Sequence, residues 1–168
     1  MSIDKELIME LRQRTGAGIM DSKRALEDSG GDLASAEAAL AQKGLAAAAK
    51  RSGREANQGV IEPYIHGGGR IGAIIELNCE TDFVARTPEF RDLAHDIAMQ
   101  VVSMSPTLVG DEENSPEIVG DNGEEIRLLH QKFVKDESKT IQDLVTETAA
   151  KLGENIKVKR FSRFELGT

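Results

Sequence analysis

The chain has 168 residues, of which 39% are apolar, and a formal charge of −8. That length can bury a core in one or two small domains, the net negative charge opposes non-specific nucleic-acid binding, and a single cysteine leaves no disulfide framework and no cysteine-rich zinc site. No apolar run approaches the roughly 18 residues of a membrane span and no signal-peptide pattern opens the chain, so a soluble cytoplasmic protein is expected, in a reducing compartment that suits the lone cysteine.

Residues 3–44 read as three short helices. Ile3, Leu7, Ile8 and Leu11 share a face of the first, which the turn Thr15-Gly16-Ala17-Gly18 breaks. The second carries Ile19, Met20, Ala25 and Leu26 and ends at Gly30-Gly31. Asp32 caps the third, with Leu33, Ala36 and Leu40 inward and Gly44 as its stop. Residues 45–58 form a connector that is rich in Ala and basic, from Lys43 through Lys50, Arg51 and Arg54. Ala46 to Ala49 favour a helical stub and Ser52-Gly53 a flexible joint.

A hairpin is expected over 59–79. Val60 to His66 is one strand, Gly67-Gly68-Gly69 the turn and Arg70 to Cys79 the second strand. Ile71, Ala73, Ile75, Leu77 and Cys79 alternate onto one face, which is predicted buried. Pro63 has no amide proton, so its strand lies at an edge or carries a bulge. Thr87 and Pro88 open a helix with Phe90, Leu93, Ala94, Ile97, Ala98 and Val101 at helical spacing, closed by Ser105-Pro106. Asp111, Glu112, Glu113, Glu117, Asp121, Glu124 and Glu125 follow with no Lys or Arg among them, and read as a solvated acidic loop. Ile141, Leu144, Val145, Thr148, Ala149 and Leu152 trace a last helix stopped by Gly153, and Asn155 to Leu166 a final strand. The fold class is therefore α+β, with a small antiparallel sheet and helices on one of its faces. The domains are 1–44, the connector 45–58 and 59–168.

The most informative stretch is Asn78 to Arg86. A strand runs into it, a helix start follows, and between them a turn presents Asp82 and Phe83 in a chain with five Phe, one Tyr and no Trp. By itself the turn reads either as a partner-facing tip or as a core Phe that ends a strand, with Asp82 as a cap. With its flanks it resembles the elongation factor Ts family. Leu11 to Leu26 is similar to that family's opening signature, with Ser22 where the family usually has Cys. Tyr64-Ile65-His66, Arg70-Ile71-Gly72 and Glu76 to Arg86 are similar to its central signature. Lys151 to Ile156 and Arg160 to Gly167 are similar to the ending of its short form. The helical stretch of a few dozen residues that short-form members carry after the first core helix is not found, which leaves a shortened segment around 103–133.

The resemblance implies a guanine-nucleotide exchange factor that binds the GDP form of elongation factor Tu. It implies that Phe83 wedges into the partner near its Mg²⁺ and phosphate site, with Asp82 as its polar companion. Thr81 and Val84 hold that turn. Arg86 pairs with Glu80 or supports the turn from below. The resemblance also makes 1–44 a ubiquitin-associated-like domain, in which Leu11, Arg12, Thr15, Gly16, Ala17, Gly18, Ile19 and Met20 dock on the partner's nucleotide domain. No enzyme activity, cofactor or metal is implied, and self-association is left open. The alternative is an interaction module that binds without exchanging nucleotide. A small hydrolase is disfavoured because no nucleophile and base pair is visible, and the Gly67–Gly69 run lacks the Lys-Ser/Thr and the following helix of a phosphate cradle. His66, His95 and His130 have no metal-ligand spacing, and Cys79 reads as an inert core thiol.

Overall fold

A computed structural model describes residues 3–111 and 123–167. The N-terminal third is helical: α1 (Lys5–Thr15), α2 (Ile19–Asp28) and α3 (Leu33–Arg51). Asp4 and Asp32 cap α1 and α3, accepting from the main-chain N–H of Glu6 and Ser35, so two donors that the helices leave unpaired are satisfied locally. Gly16 ends α1 at φ 70°. Ile8, Leu11, Ala25, Leu26 and Ala36 form a small buried cluster, with Ile3, Leu7, Leu33 and Leu40 at its margin.

The rest of the chain builds one three-stranded antiparallel sheet in the order β1 (Gln58–His66), β2 (Ile71–Cys79), β5 (Lys157–Glu165). Pro63 lies on the edge strand β1, opposite Ile74 in an unbroken register. The hairpin turn Gly67–Gly69 has φ of 60°, 68° and 86°, a left-handed run that only glycine adopts at low cost. Between Glu76 and Leu77 the β2–β5 register shifts, which leaves Lys159 as an extra residue. α5 (Pro88–Met104) crosses all three strands and α6 (Ile141–Leu152) packs on α5 and α3. Ala73, Ile75, Leu77 and Cys79 from β2 meet Phe90, Leu93, Ala94, Ile97, Ala98 and Val101 from α5 and Ile141, Val145 and Ala149 from α6. The alternation and helical spacing thus mark the buried faces correctly. The sheet's opposite face carries exposed Ile61, Ile65, Ile74 and Phe164.

Two expectations need correction, and one element was not foreseen. Gly44 does not stop the third helix, because α3 continues to Arg51. There Gly44 serves packing. A Cβ at that position would stand 3.3 Å from the Cβ of Ala150 on α6, so its absence lets the two helices approach, and Ala48 one turn later is buried in the main core. The acidic segment is mostly 112–122, outside the described residues, but its flanks are not simply solvated. Asp111 and Glu125 both bind Arg127, at 2.6 and 2.8 Å. Finally, β3 (Lys132–Phe133) and β4 (Asp136–Thr140) form a short hairpin that no alternation announces. Buried Gln100 fixes it, donating to Lys132 O and accepting from Val134 N, each at 3.0 Å.

Candidate functional site

β2 delivers the chain to the site. Its last residue, Cys79, is buried, and burial pushes its thiol up to about 11, which keeps it protonated and a poor nucleophile. Its Sγ donates to Thr81 O at 3.1 Å. Thr81 is extended and caps α4 (Asp82–Ala85), its Oγ1 accepting from Val84 N at 3.4 Å. The turn expected here is thus one turn of helix. Ala85 is buried and Val84 packs against the core, which turns Asp82 and Phe83 outward. Phe83 is 78% exposed, the highest value among the large apolar side chains of the described residues. A core Phe at this place is thereby excluded. Asp82 accepts from Arg86 Nη2 at 2.8 Å. Of the two roles expected for Arg86, the pairing with Glu80 does not form: Asp82 is four residues away on the same turn, whereas Glu80 is turned to Arg54 and to the main chain of Asn155.

A four-residue helix cannot hold itself, and this one is held from both ends. On its N-terminal side a single carboxylate, Glu154, accepts from Glu80 N and Thr81 N at 3.0 Å each and from Thr81 Oγ1 at 2.6 Å. Glu80 in turn accepts from Asn155 N at 2.7 Å. Asn155 is buried and donates to Ser52 O and Arg54 O just beyond α3. On the C-terminal side Thr87 Oγ1 donates to Val84 O at 2.8 Å and Arg91 Nε to Ala85 O at 3.1 Å. Glu154 and Asn155 are the residues that sequence reasoning missed. They stood in the C-terminal motif, but nothing in a linear pattern ties them to a turn 73 residues away.

The N-terminal candidates separate on burial. Leu11 has no exposed surface, so it contributes only by packing α1. Thr15 Oγ1 donates to Leu11 O and accepts from Ala17 N, which fixes the turn from inside. Arg12, Gly16, Gly18, Ile19 and Met20 are exposed, Met20 by 67%. Beside them the turn borders a groove of about 570 Å³, whose far wall includes Lys139, Glu147, Ala150 and Lys151. Among the described residues no group of three His, Cys, Asp or Glu side chains could hold a metal ion, and no helix is long and apolar enough to cross a membrane.

The family described as "Elongation factor TS" matches residues 45–126 and 118–168. The chain is 47% identical to the Elongation factor Ts of Carboxydothermus hydrogenoformans, over 98% of this chain and 89% of that one. It is 45% identical to that of Desulforamulus reducens with the same coverage. It is 43% identical to that of Caldanaerobacter subterraneus subsp. tengcongensis, over 98% of this chain and 97% of that one. Each of these alignments spans 194 residues, more than the 168 of this chain, so the relatives carry residues that it lacks.

Proposed function

The chain belongs to the elongation factor Ts family, and from that premise we propose that it acts in translation elongation as the cytoplasmic guanine-nucleotide exchange factor of elongation factor Tu. It binds the GDP form of that partner, disturbs the Mg²⁺ and phosphate site with Asp82 and Phe83, and lets GDP leave so that GTP enters. Thr81 and Val84 hold the turn, with Glu80 and Arg86 behind it. Residues 1–44 are the docking unit, meeting the partner with Arg12, Thr15, Gly16, Ala17, Gly18, Ile19 and Met20, while Leu11 keeps that surface in shape. Residues 45–58 connect it to the 59–168 core. No covalent bond is made or broken, so this is an exchange factor and not an enzyme.

The observation that carries this reading is Phe83, exposed on a helical turn that is anchored at both ends. Such a ring is available to a partner and the backbone that carries it is already positioned, so little main-chain ordering entropy opposes its insertion. Magnitudes give the rest of the surface its role. Burying one Phe supplies roughly 1.5–3 kcal/mol, whereas a ~10³–10⁴-fold faster release needs about 4–5.5 kcal/mol. The N-terminal docking face supplies the difference by binding the partner's open state preferentially. The coupling is reciprocal in binding free energy, so GDP weakens the complex by the factor by which complex formation weakens GDP binding.

Stopped-flow release of a fluorescent GDP from elongation factor Tu tests the proposal. Acceleration by this chain, sharply reduced in Phe83→Ala, is the expected result. Binding to the partner without acceleration would instead favour the non-exchanging interaction module. Self-association through the outer sheet face belongs to the same proposal. Ile65, Gly72 and Phe164 stand in one row of the sheet, Pro63, Ile74 and Ser162 in the next. The adjoining Glu76–Arg160 pair is internally neutralised at 2.7 Å, so a second copy meets an apolar, uncharged face.

A further inference from the structure

Resting on the exchange reading above, the geometry points to Glu154 as the positioning residue of the Phe83 turn, with Asn155 as its tie to the helix that carries the N-terminal unit. The amides of Glu80 and Thr81 lie beyond the last sheet pair, Gln58 with Cys79, and before the first residue of α4. Neither ladder nor helix therefore serves them. Glu154 Oε2 takes both, and Oε1 takes the Thr81 hydroxyl proton. With its proton so directed, Thr81 Oγ1 offers a lone pair to Val84 N, and the carboxylate thus reaches through Thr81 to the cap of α4. Charge-assisted bonds of this kind are stronger than neutral ones and fix geometry well.

The second half of the device is reciprocal. Glu80 accepts from the main chain of Asn155, and the Asn155 carboxamide donates to the carbonyls of Ser52 and Arg54. Those carbonyls follow directly on α3, which holds Ala36 in the N-terminal cluster and Lys43 against Asp21 of α2 at 2.6 Å. α3 has 19 residues, a rod of about 28 Å. The Phe83 turn is thereby tied to the segment that leaves α3, and α3 carries the N-terminal unit at its other end. A ring that is correctly seated only while this clamp is closed acts on the partner's site after docking, so the clamp governs the release step and not the affinity.

Glu154→Ala, Glu154→Gln and the parent full-length chain decide this. Gln keeps Oε1 for the two amides but loses the charge and turns Nε2 as a donor toward Thr81 Oγ1, so it preserves the anchor only in part. The first readout is amide hydrogen exchange in the free chain. Ala should speed exchange at Glu80, Thr81 and Val84 by about tenfold or more, with the sheet unaffected, and Gln by less. The second is fluorescent-GDP release titrated with each variant. Ala should lower the maximal rate by about tenfold or more while the half-saturating concentration stays within about twofold, and Gln should fall between Ala and the parent. Unchanged amide exchange in a folded Ala variant, a shift in half-saturation alone, or Gln as damaged as Ala would each overturn the assignment. If Ala does not fold, Glu154→Asp, which withdraws the carboxylate by one methylene, carries the same comparison. A parent chain that does not accelerate release would overturn the exchange reading, and amide exchange alone would then decide the clamp.

Discussion

Phe83 faces solvent while its neighbours Val84 and Ala85 are anchored, so its replacement separates function from stability. Phe83→Ala should move the melting temperature by less than about 2 °C, since exposed substitutions cost little, yet slow catalysed GDP release by about ten- to a hundredfold, the value of one buried ring. A large melting shift would mean that the ring packs on its own chain. Ser22 is the opposite case. It is fully buried in α2 and its Oγ has no hydrogen-bond partner among the described residues. A desolvated hydroxyl without a partner costs about 1–3 kcal/mol, and Ala also suits a helix better. Ser22→Ala should therefore stabilise the N-terminal unit by about 1 kcal/mol, as should the Cys that the family resemblance expects there. Urea unfolding of the full chain, followed by helical circular dichroism, measures it, and a lowered midpoint would refute the argument.

At the level of elements, the ends decide more than the middles. Among the described residues three helices close with a left-handed residue: Gly16 after α1, Ser105 after α5 and Gly153 after α6. The start of α6 adds a capping box, in which Thr140 and Asp143 satisfy each other's main-chain donors. The Thr140 main-chain N–H, followed by its hydroxyl, lowers the Asp143 carboxyl. The Arg127 clasp is the stronger electrostatic element. Two guanidinium bonds of 2.8 Å and the Arg127 main-chain N–H hold Glu125 at about 2. A carboxyl depressed in the folded state adds stability above its ordinary value of about 4.3 and loses it as the pH falls through that value toward the folded one. The melting temperature should accordingly drop as the pH is taken from 5 to 3, less steeply in Glu125→Gln. Parallel slopes for the two proteins would show that the clasp contributes nothing.

At the level of the whole molecule, two buried clusters are joined by α3 and share no residue. Among the described residues the sheet is covered by helices on one face only, and Ile61, Ile65, Ile74 and Phe164 are exposed on the other. On the proposal above this apolar face is the contact surface, and a closed two-fold arrangement would bury it against its own copy. Sedimentation velocity should show mass rising with concentration, and Phe164→Asp should remain monomeric with an unaltered circular dichroism spectrum. A parent chain that stays monomeric up to high concentration would remove self-association from the proposal. Residues absent here but present in relatives make this measurement informative about the chain itself.

The sequence by itself determined the elements with strong periodicity and clear caps: the three N-terminal helices, the glycine hairpin, the inward face of β2, and α5 and α6. It also singled out Asp82 and Phe83, because a lone aromatic between a strand and a helix start is a local pattern. It could not distinguish a Gly that ends a helix from one that lets another helix approach, as Gly44 does against Ala150. It did not reveal a two-residue strand held by Gln100, or the clamp from Glu154 to Thr81. Periodicity records which side of an element meets the core. Which distant side chain satisfies a given amide depends on where the chain returns, and that is settled only when β5 pairs with β2 and α6 packs on α5 and α3.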